Sequence, residues 1–228
     1  MTEQQQGQNV EESTQKKEQP LLQLNAPVPD FESKTTHGTI RLSEWNADKW
    51  VILFSHPADF TPVCTTEFIG FQAIADDLEK RNVVLLGNSV DSVHSHIAWV
   101  RNIKENFDVD ITFPIIADLD LKVSTKFGMV HEASSDTAPV RAVFVIDPER
   151  RLRAMVYYPL EIGRKMDEFV RLVDALQLSD EQGVATPADW QPGDKVIVPP
   201  PGTTAEAEER VNNPEYDVTD WYFSKKKV

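Results

Sequence analysis

Apolar runs that alternate with helix-periodic segments constrain the fold of this chain more than any other feature of its sequence. The run WVILFS at 50–55 has no polar alternation, which is typical of a strand buried on both faces. At 65–81 apolar residues recur every three or four positions and predict an amphipathic helix. A second apolar run, VVLL at 83–86, follows it. This order predicts an α/β fold, a central sheet of mixed direction flanked by helices.

The same two patterns continue to about residue 178. A helix at 92–107 is predicted to bury Ile97, Val100, Ile103 and Phe107, and Pro114 makes 112–116 an edge or short strand. The remaining predicted elements are a short helix at 121–127 stopped by Gly128, a β-hairpin at 141–146 and 152–158, and a helix at 165–178.

Composition divides the chain into three parts. Residues 1–20 contain six glutamines and no aromatic residue, so they are predicted to be a disordered tail. Residues 21–182 form the α/β domain. Residues 183–228 are predicted to form a small C-terminal domain or arm, because helical and strand periodicity fades there and 187–214 holds six of the fifteen prolines. The terminal lysines at 225–227 are interpreted as a solvated end.

Charge and cysteine content exclude several classes of protein. The net charge of −14 disfavours nucleic acid and anionic membrane surfaces as partners. The single cysteine rules out a disulfide within the chain and, with an acidic start that lacks a hydrophobic signal core, predicts a cytoplasmic protein. Neither G-x-G-x-x-G nor G-x-x-x-x-G-K occurs, so no nucleotide cofactor is expected.

Two kinds of side chain are candidates for chemistry. His94 and His96 are two apart on a predicted helix and face different directions, so no metal site is expected and both are interpreted as surface or half-buried residues. Cys64 is either a small buried hydrophobe or a reactive thiol. It lies where a helix begins, near free backbone N–H groups that stabilise a thiolate, and Thr61 is one turn earlier. These local features leave both interpretations open.

The segment HPADFTPVCTTE at 56–67 resembles the active-site motif P-x-x-x-T-x-x-C of the peroxiredoxins. The residues of this segment are also similar to those of the one-cysteine branch, the peroxiredoxin six type of the AhpC/TSA superfamily. The segment at 140–146 resembles the strand that carries the second active-site residue of the family, and ATPADW at 185–190 resembles the start of its C-terminal domain. The motif positions fall on Pro57, Thr61, Cys64, Arg141 and, as an auxiliary arginine, Arg164.

The resemblance implies a thioredoxin-like fold and a thiol-dependent peroxidase. Cys64 would attack a hydroperoxide and become a sulfenic acid, with Arg141 and the hydroxyl of Thr61 stabilising the leaving oxygen. Glu67 is predicted to orient Arg141, with a solvated helix residue as the alternative. His56 is predicted either to contact the sulfur or to be a structural histidine.

The single cysteine determines how the predicted sulfenic acid can be reduced. Since no second cysteine can resolve the sulfenic acid, an external thiol or another reductant is required. The resemblance also implies a homodimer or a higher homo-oligomer. Two alternatives from other classes are a redox-sensing holdase without significant turnover and a scaffold whose thiol is inert.

Overall fold

A computed structural model of the chain describes residues 22–228, so the predicted disordered tail at 1–20 lies outside the described residues. The strands are β1 (Glu32–Thr35), β2 (Gly38–Arg41), β3 (Trp50–Ser55), β4 (Val83–Ser89), β5 (Ile115–Ala117), β6 (Arg141–Ile146), β7 (Leu152–Tyr158), β8 (Val196–Val198), β9 (Asp217–Asp220) and β10 (Phe223–Lys226). The helices are α1 (Leu42–Trp45), α2 (Pro62–Glu79), α3 (Val93–Phe107), α4 (Lys122–Lys126), α5 (Met166–Gln182) and α6 (Thr204–Val211).

Strand β3 lies at the centre of the molecule, and all of its residues are buried. Because side chains alternate along a strand, Ile52 and Phe54 enter one hydrophobic core whereas Val51 and Leu53 enter a second core on the other face. Helices α2, α3 and α5 cover the first core, and α1 and α4 cover the second. The uninterrupted apolar run therefore reflects a sheet that is covered on both sides.

The main sheet has seven strands in the order β2-β1-β5-β4-β3-β6-β7. Strand β3 pairs in parallel with β4 and antiparallel with β6, and β6 and β7 form the predicted hairpin. The mixed direction predicted from the sequence is confirmed. The strand predicted at 112–116 is shorter and lies inside the sheet, because the hairpin of β1 and β2 extends the sheet beyond it.

Helix α3 has a different buried face from the predicted one. Ile103 is buried as predicted, but Ile97 and Phe107 are 42% and 53% exposed. Trp99 and His96 are buried in their place. The prediction was wrong for these positions because it chose one set of apolar residues by their spacing and left Trp99 and the polar His96 outside the core.

The C-terminal region forms a small module with its own sheet, β8-β10-β9. Gly183 caps the C-terminal end of α5, and its φ of +61° favours glycine. Beyond it, Trp190 packs against Ala175 and Val196. The lysines predicted to be a solvated end lie partly in β10, where Lys225 pairs with Ile197. Among residues 22–228, no helix combines the length and the hydropathy needed to cross a membrane.

Candidate active site

The start of α2 places Cys64 among free backbone N–H groups. The helix begins at Pro62, three residues earlier than predicted, because proline is favoured in the first turn of a helix and lacks the N–H that would be unpaired there. Cys64 is thus the third helical residue, and helix geometry leaves the N–H groups of Val63 and Cys64 without acceptors within the helix. Cys64 therefore lies in the first turn, at the positive end of the helix dipole.

Arg141 reaches Cys64 from the neighbouring strand. It is the first residue of β6, and its Nη1 atom lies 3.3 Å from Sγ of Cys64. Its Nε atom donates to the carbonyl oxygen of Leu160 at 2.8 Å, which fixes the plane of the guanidinium. Cys64 has no exposed surface and Arg141 is 3% exposed. A cation and a thiol are therefore in contact where water screens their interaction little.

Glu67 joins two arginines on one carboxylate. It lies one turn after Cys64 on α2 and accepts a 2.6 Å hydrogen bond from Nη1 of Arg141. Its Oε1 atom accepts from the backbone N–H and the Nε atom of Arg164, and its Oε2 atom accepts from Nη2 of the same residue. Glu67 is buried, so the alternative of a solvated helix residue is wrong.

Arg164 is held on every side. Its Nη1 atom donates to the carbonyl oxygens of Ser55 and Ala142, each at 3.0 Å, and its guanidinium lies over the rings of Phe54 and Phe71. Burial lowers the pKa of Arg164 and the charge of Glu67 opposes that shift, so the guanidinium keeps its proton at neutral pH. Arg164 thus holds Glu67 in place by hydrogen bonds and has no hydrogen bond to Cys64.

The buried charges beside Cys64 do not cancel. Two guanidinium groups, those of Arg141 and Arg164, face the single carboxylate of Glu67. The cluster of Glu67, Arg141 and Arg164 therefore has one positive charge in excess next to the sulfur.

Thr61 and Pro57 shape the loop between β3 and α2. Thr61 is the residue that precedes the helix, and its carbonyl oxygen accepts from both the N–H and the hydroxyl of Thr65. Its own hydroxyl donates to the carbonyl oxygen of Ala58 at 3.0 Å and makes no hydrogen bond to Cys64. Pro57 is half-buried in the same loop and restricts its backbone.

His56 is buried and turned toward Asp59. Its Nε2 atom lies 2.9 Å from Oδ1 of Asp59, and the structure shows no hydrogen bond between His56 and Cys64. Burial lowers the pKa of His56, with Asp59 opposing the shift. The ring of His56 is thus tied to the loop through Asp59. The sequence reasoning missed Asp59, although its spacing of three from His56 within the motif was a usable signal.

His96 was misjudged from the sequence, whereas His94 is exposed as expected. His96 is fully buried, and its Nδ1 atom lies 2.8 Å from Oδ2 of Asp59. His56, Asp59 and His96 are the one group of metal-ligating side chains in the described part of the chain, with ligand atoms within 4.8 Å of one another. A tetrahedral zinc ion spaces its ligand atoms about 3.3 Å apart, so the hydrogen-bonded pairs at 2.8 and 2.9 Å leave too little room.

Two family models match the chain. Residues 24–155 match the AhpC/TSA family, and residues 175–213 match the C-terminal domain of 1-Cys peroxiredoxin. A peroxiredoxin of Aquifex aeolicus is 54% identical over 218 residues, which cover 91% of this chain and 98% of that protein. Peroxiredoxin 2 of Caldanaerobacter subterraneus is 52% identical over 209 residues, with 91% and 94% covered.

Solved structures of peroxiredoxins have the same fold. A yeast mitochondrial 1-Cys peroxiredoxin superposes with a TM-score of 0.82 at 40% identity and covers 91% of this chain and all of that one. A mutant of Peroxiredoxin 6 of Arenicola marina gives 0.80 at 37% identity, with 90% and 98% covered. The fold is therefore thioredoxin-like, with a small C-terminal sheet added, as the resemblance implied.

A buried cysteine at a helix start, facing an arginine on a thioredoxin-like sheet, defines the class of thiol-dependent peroxidases. The chain belongs to the peroxiredoxins of the AhpC/TSA family, and its C-terminal region is of the 1-Cys type.

Proposed function

We propose that Cys64 is the peroxidatic thiol and that it reduces hydrogen peroxide and organic hydroperoxides. The observation that carries the proposal is the 3.3 Å contact between Sγ of Cys64 and Nη1 of Arg141 inside a cluster with an excess positive charge. Such a cluster favours a thiolate, and the thiolate is the nucleophilic form of cysteine.

The proposed oxidation of Cys64 consumes one hydroperoxide and one proton. The thiolate attacks the distal oxygen of the hydroperoxide, the O–O bond breaks, and Cys64 becomes a sulfenic acid. The leaving oxygen takes a proton and departs as water or an alcohol. Nη1 of Arg141 and the N–H groups of Val63 and Cys64 are fixed donors for the charge that develops on the oxygens. In this proposal the hydroxyl of Thr61 turns from Ala58 to donate to the bound peroxide.

An external thiol completes the cycle. The chain has one cysteine, so the sulfenic acid has no partner thiol within the same molecule. The related yeast mitochondrial protein is described as resolved through glutathione and thioredoxin systems. We propose that a small or protein thiol attacks the sulfenic acid of Cys64, releases water and forms a mixed disulfide, which a second thiol reduces. A reducing cytoplasm would supply such thiols.

A homodimer is the proposed assembly. Strand β7 is an edge strand of the main sheet, and on its outer side the described structure shows backbone hydrogen bonds only at Leu152, with Asn25 and Ala26. The rest of this edge favours pairing with another copy. In the C-terminal module Trp221 and Tyr222 are 44% and 55% exposed, and a second copy would cover such residues. Light scattering of the purified protein checks the assembly, and a monomer at working concentrations would contradict it.

The decisive experiment measures intact mass after a brief dose of substoichiometric peroxide, with and without a sulfenic-acid trap. We expect one trap adduct per chain and none in Cys64→Ser. Persistence of peroxide without an adduct would contradict the proposal, and oxidation that changes assembly without consuming further peroxide in the presence of thiol would favour the holdase.

A further inference from the structure

Residues 56–61 form the loop between β3 and α2, which we call the active-site loop. Two buried side chains of this loop and one of helix α3 form a hydrogen-bonded chain. His96 extends from α3, Asp59 lies in the loop, and His56 follows the end of β3. All three are at most 7% exposed. The peroxidase chemistry proposed above uses neither Asp59 nor His96, so their burial requires a separate explanation.

The partners of His96 determine its protonation state. Its Nε2 atom lies 3.1 Å from the carbonyl oxygen of Ile116, which can only accept, so this nitrogen carries a hydrogen. Its Nδ1 atom lies 2.8 and 3.1 Å from the two carboxylate oxygens of Asp59. Burial alone would raise the pKa of Asp59, but hydrogen bonds from His56 and His96 hold it well below its usual range, so the carboxylate only accepts. Both ring nitrogens of His96 thus face acceptors, and the hydrogen-bond geometry requires a hydrogen on each.

The same argument fixes the tautomer of His56. Its Nε2 atom faces the carboxylate of Asp59 at 2.9 Å and must donate. Burial lowers the pKa of His56, so the ring is neutral and its Nδ1 atom carries no hydrogen. That atom is buried and has no hydrogen-bond partner in the described structure. An unpaired buried acceptor is costly and persists only if the surrounding groups hold the ring in place.

Asp59 also holds the loop backbone. Its N–H donates to Oδ2 of Asp91 at 2.9 Å, and Asp91 accepts a second hydrogen bond from Ser89. The next residue, Phe60, has a φ of +55°, a left-handed conformation that persists when neighbouring contacts over-determine it. Thr61 follows and starts α2, so the place of Asp59 determines where the N–H groups around Cys64 point.

We propose that His96 is a positioning residue for the oxidation of Cys64: its ring N–H groups hold Asp59, and through Asp59 His96 fixes both the active-site loop and the Nε2–H tautomer of His56. The inference rests on the proposed function for its catalytic consequence and on the hydrogen bonds of the reduced protein for the tautomer. Because the side chains of His96 and Asp59 are both buried, removing His96 leaves the carboxylate without one of its two histidine hydrogen-bond donors, and the loop must rearrange to hydrate it.

Two variants and a matched control test the inference in the full chain. His96→Ala removes both donors, and His96→Gln restores a neutral N–H donor toward Asp59. His94→Gln changes an exposed histidine two residues away on the same helix. The second-order rate of Cys64 oxidation by hydrogen peroxide is measured for each by stopped flow, with far-UV circular dichroism to verify folding.

The tautomer is read independently of activity, from ¹⁵N–¹H NMR correlations of the histidine rings in the reduced protein. We expect His96 doubly protonated and His56 protonated at Nε2 alone in the native protein and in His94→Gln. Oxidation should slow by roughly tenfold to a hundredfold in His96→Ala, as misplaced catalytic groups do, and recover in part in His96→Gln.

Several results would overturn the inference. A neutral His96 or an Nδ1–H His56 in the native spectrum would do so whether or not the protein is an active peroxidase. A folded His96→Ala that reacts at the native rate would also overturn it. If His96→Ala does not fold, His96→Gln serves instead. A His96→Gln variant with an altered His56 tautomer and the native oxidation rate would show that the tautomer does not affect the rate, and this too would overturn the inference. Failure of the proposed function itself would appear as slow oxidation of the native protein with the expected NMR spectrum.

Discussion

Glu67 accepts a 2.6 Å hydrogen bond from Nη1 of Arg141. The same nitrogen lies 3.3 Å from Sγ of Cys64, so the carboxylate determines the position of the cation that the sulfur meets. Glu67 in turn is held by three hydrogen bonds from Arg164. The site is thus rigid before any peroxide arrives, which is the condition under which fixed donors stabilise developing charge without reorganisation.

Arg141→Ala should slow oxidation of Cys64 by about a hundredfold or more, the usual cost of removing one fixed donor to developing charge. The variant also removes the cation that contacts the sulfur. Arg141→Lys should recover little, because one ammonium cannot bind Leu160, Glu67 and the sulfur in the same plane. Stopped-flow rates with hydrogen peroxide check this. Arg171→Ala, which breaks an ion pair with Glu168 nearer the surface, serves as the control, and equal rates in both alanine variants would contradict the prediction.

Glu67→Gln should destabilise the fold by about 3 kcal/mol, because it removes the buried carboxylate that pairs with both buried guanidinium groups. The matched change Glu168→Gln, at a partly exposed ion pair with Arg171, should cost less than about 1 kcal/mol. Urea unfolding followed by circular dichroism measures both. A Glu67→Gln variant as stable as Glu168→Gln would show that the buried cluster contributes little.

The sheet and its main helices could be predicted because their signal is periodic. Buried runs such as 50–55 and the amphipathic pattern that contains Phe68 and Phe71 depend only on neighbouring residues. The hairpin of β1 and β2 was missed because each strand has four residues and only two of the eight are buried. Such strands have no apolar alternation, and they form because they pair with each other and with β5.

The residues of the active site also differ in whether the local sequence could predict them. Cys64, Thr61 and Glu67 lie on one local segment, so the motif and its spacing predicted their proximity. Arg141 and Arg164 are 77 and 100 positions from Cys64 and were placed by family resemblance alone. His96 was misassigned because its partners, Asp59 and the carbonyl of Ile116, are distant in sequence.

The ion pair between Arg153 and Asp180 should make stability depend on acid pH. The hydrogen bond from Arg153 lowers the pKa of Asp180 in the folded protein, so the unfolded chain binds the proton more readily, at a pKa of about 3.9. Stability from this carboxylate is therefore full above about pH 5, and it is lost as the pH falls below about 4 and through the lowered pKa of the folded state.

Asp180→Asn should accordingly show a flatter decline in the free energy of unfolding between about pH 5 and pH 3. Glu181→Gln removes an exposed carboxylate next to it that has no ion-pair partner in the described structure, and it should keep the native slope. Urea titrations at several pH values measure the slopes. A steeper decline in Asp180→Asn than in the native protein would contradict the sign of the shift.

Thr61→Val should slow oxidation of Cys64 by about tenfold, because the proposed donor to the bound peroxide is lost while the volume of the side chain is kept. Thr61→Ser should retain most of the rate. Thr66→Val is a close control, since the hydroxyls of Thr61 and Thr66 each donate to a carbonyl oxygen three residues earlier. Both valine variants lose that local hydrogen bond, so a stability change common to both reports the bond alone. If Thr61→Val and Thr66→Val are oxidised at the same rate, the hydroxyl of Thr61 has no role beyond holding its loop.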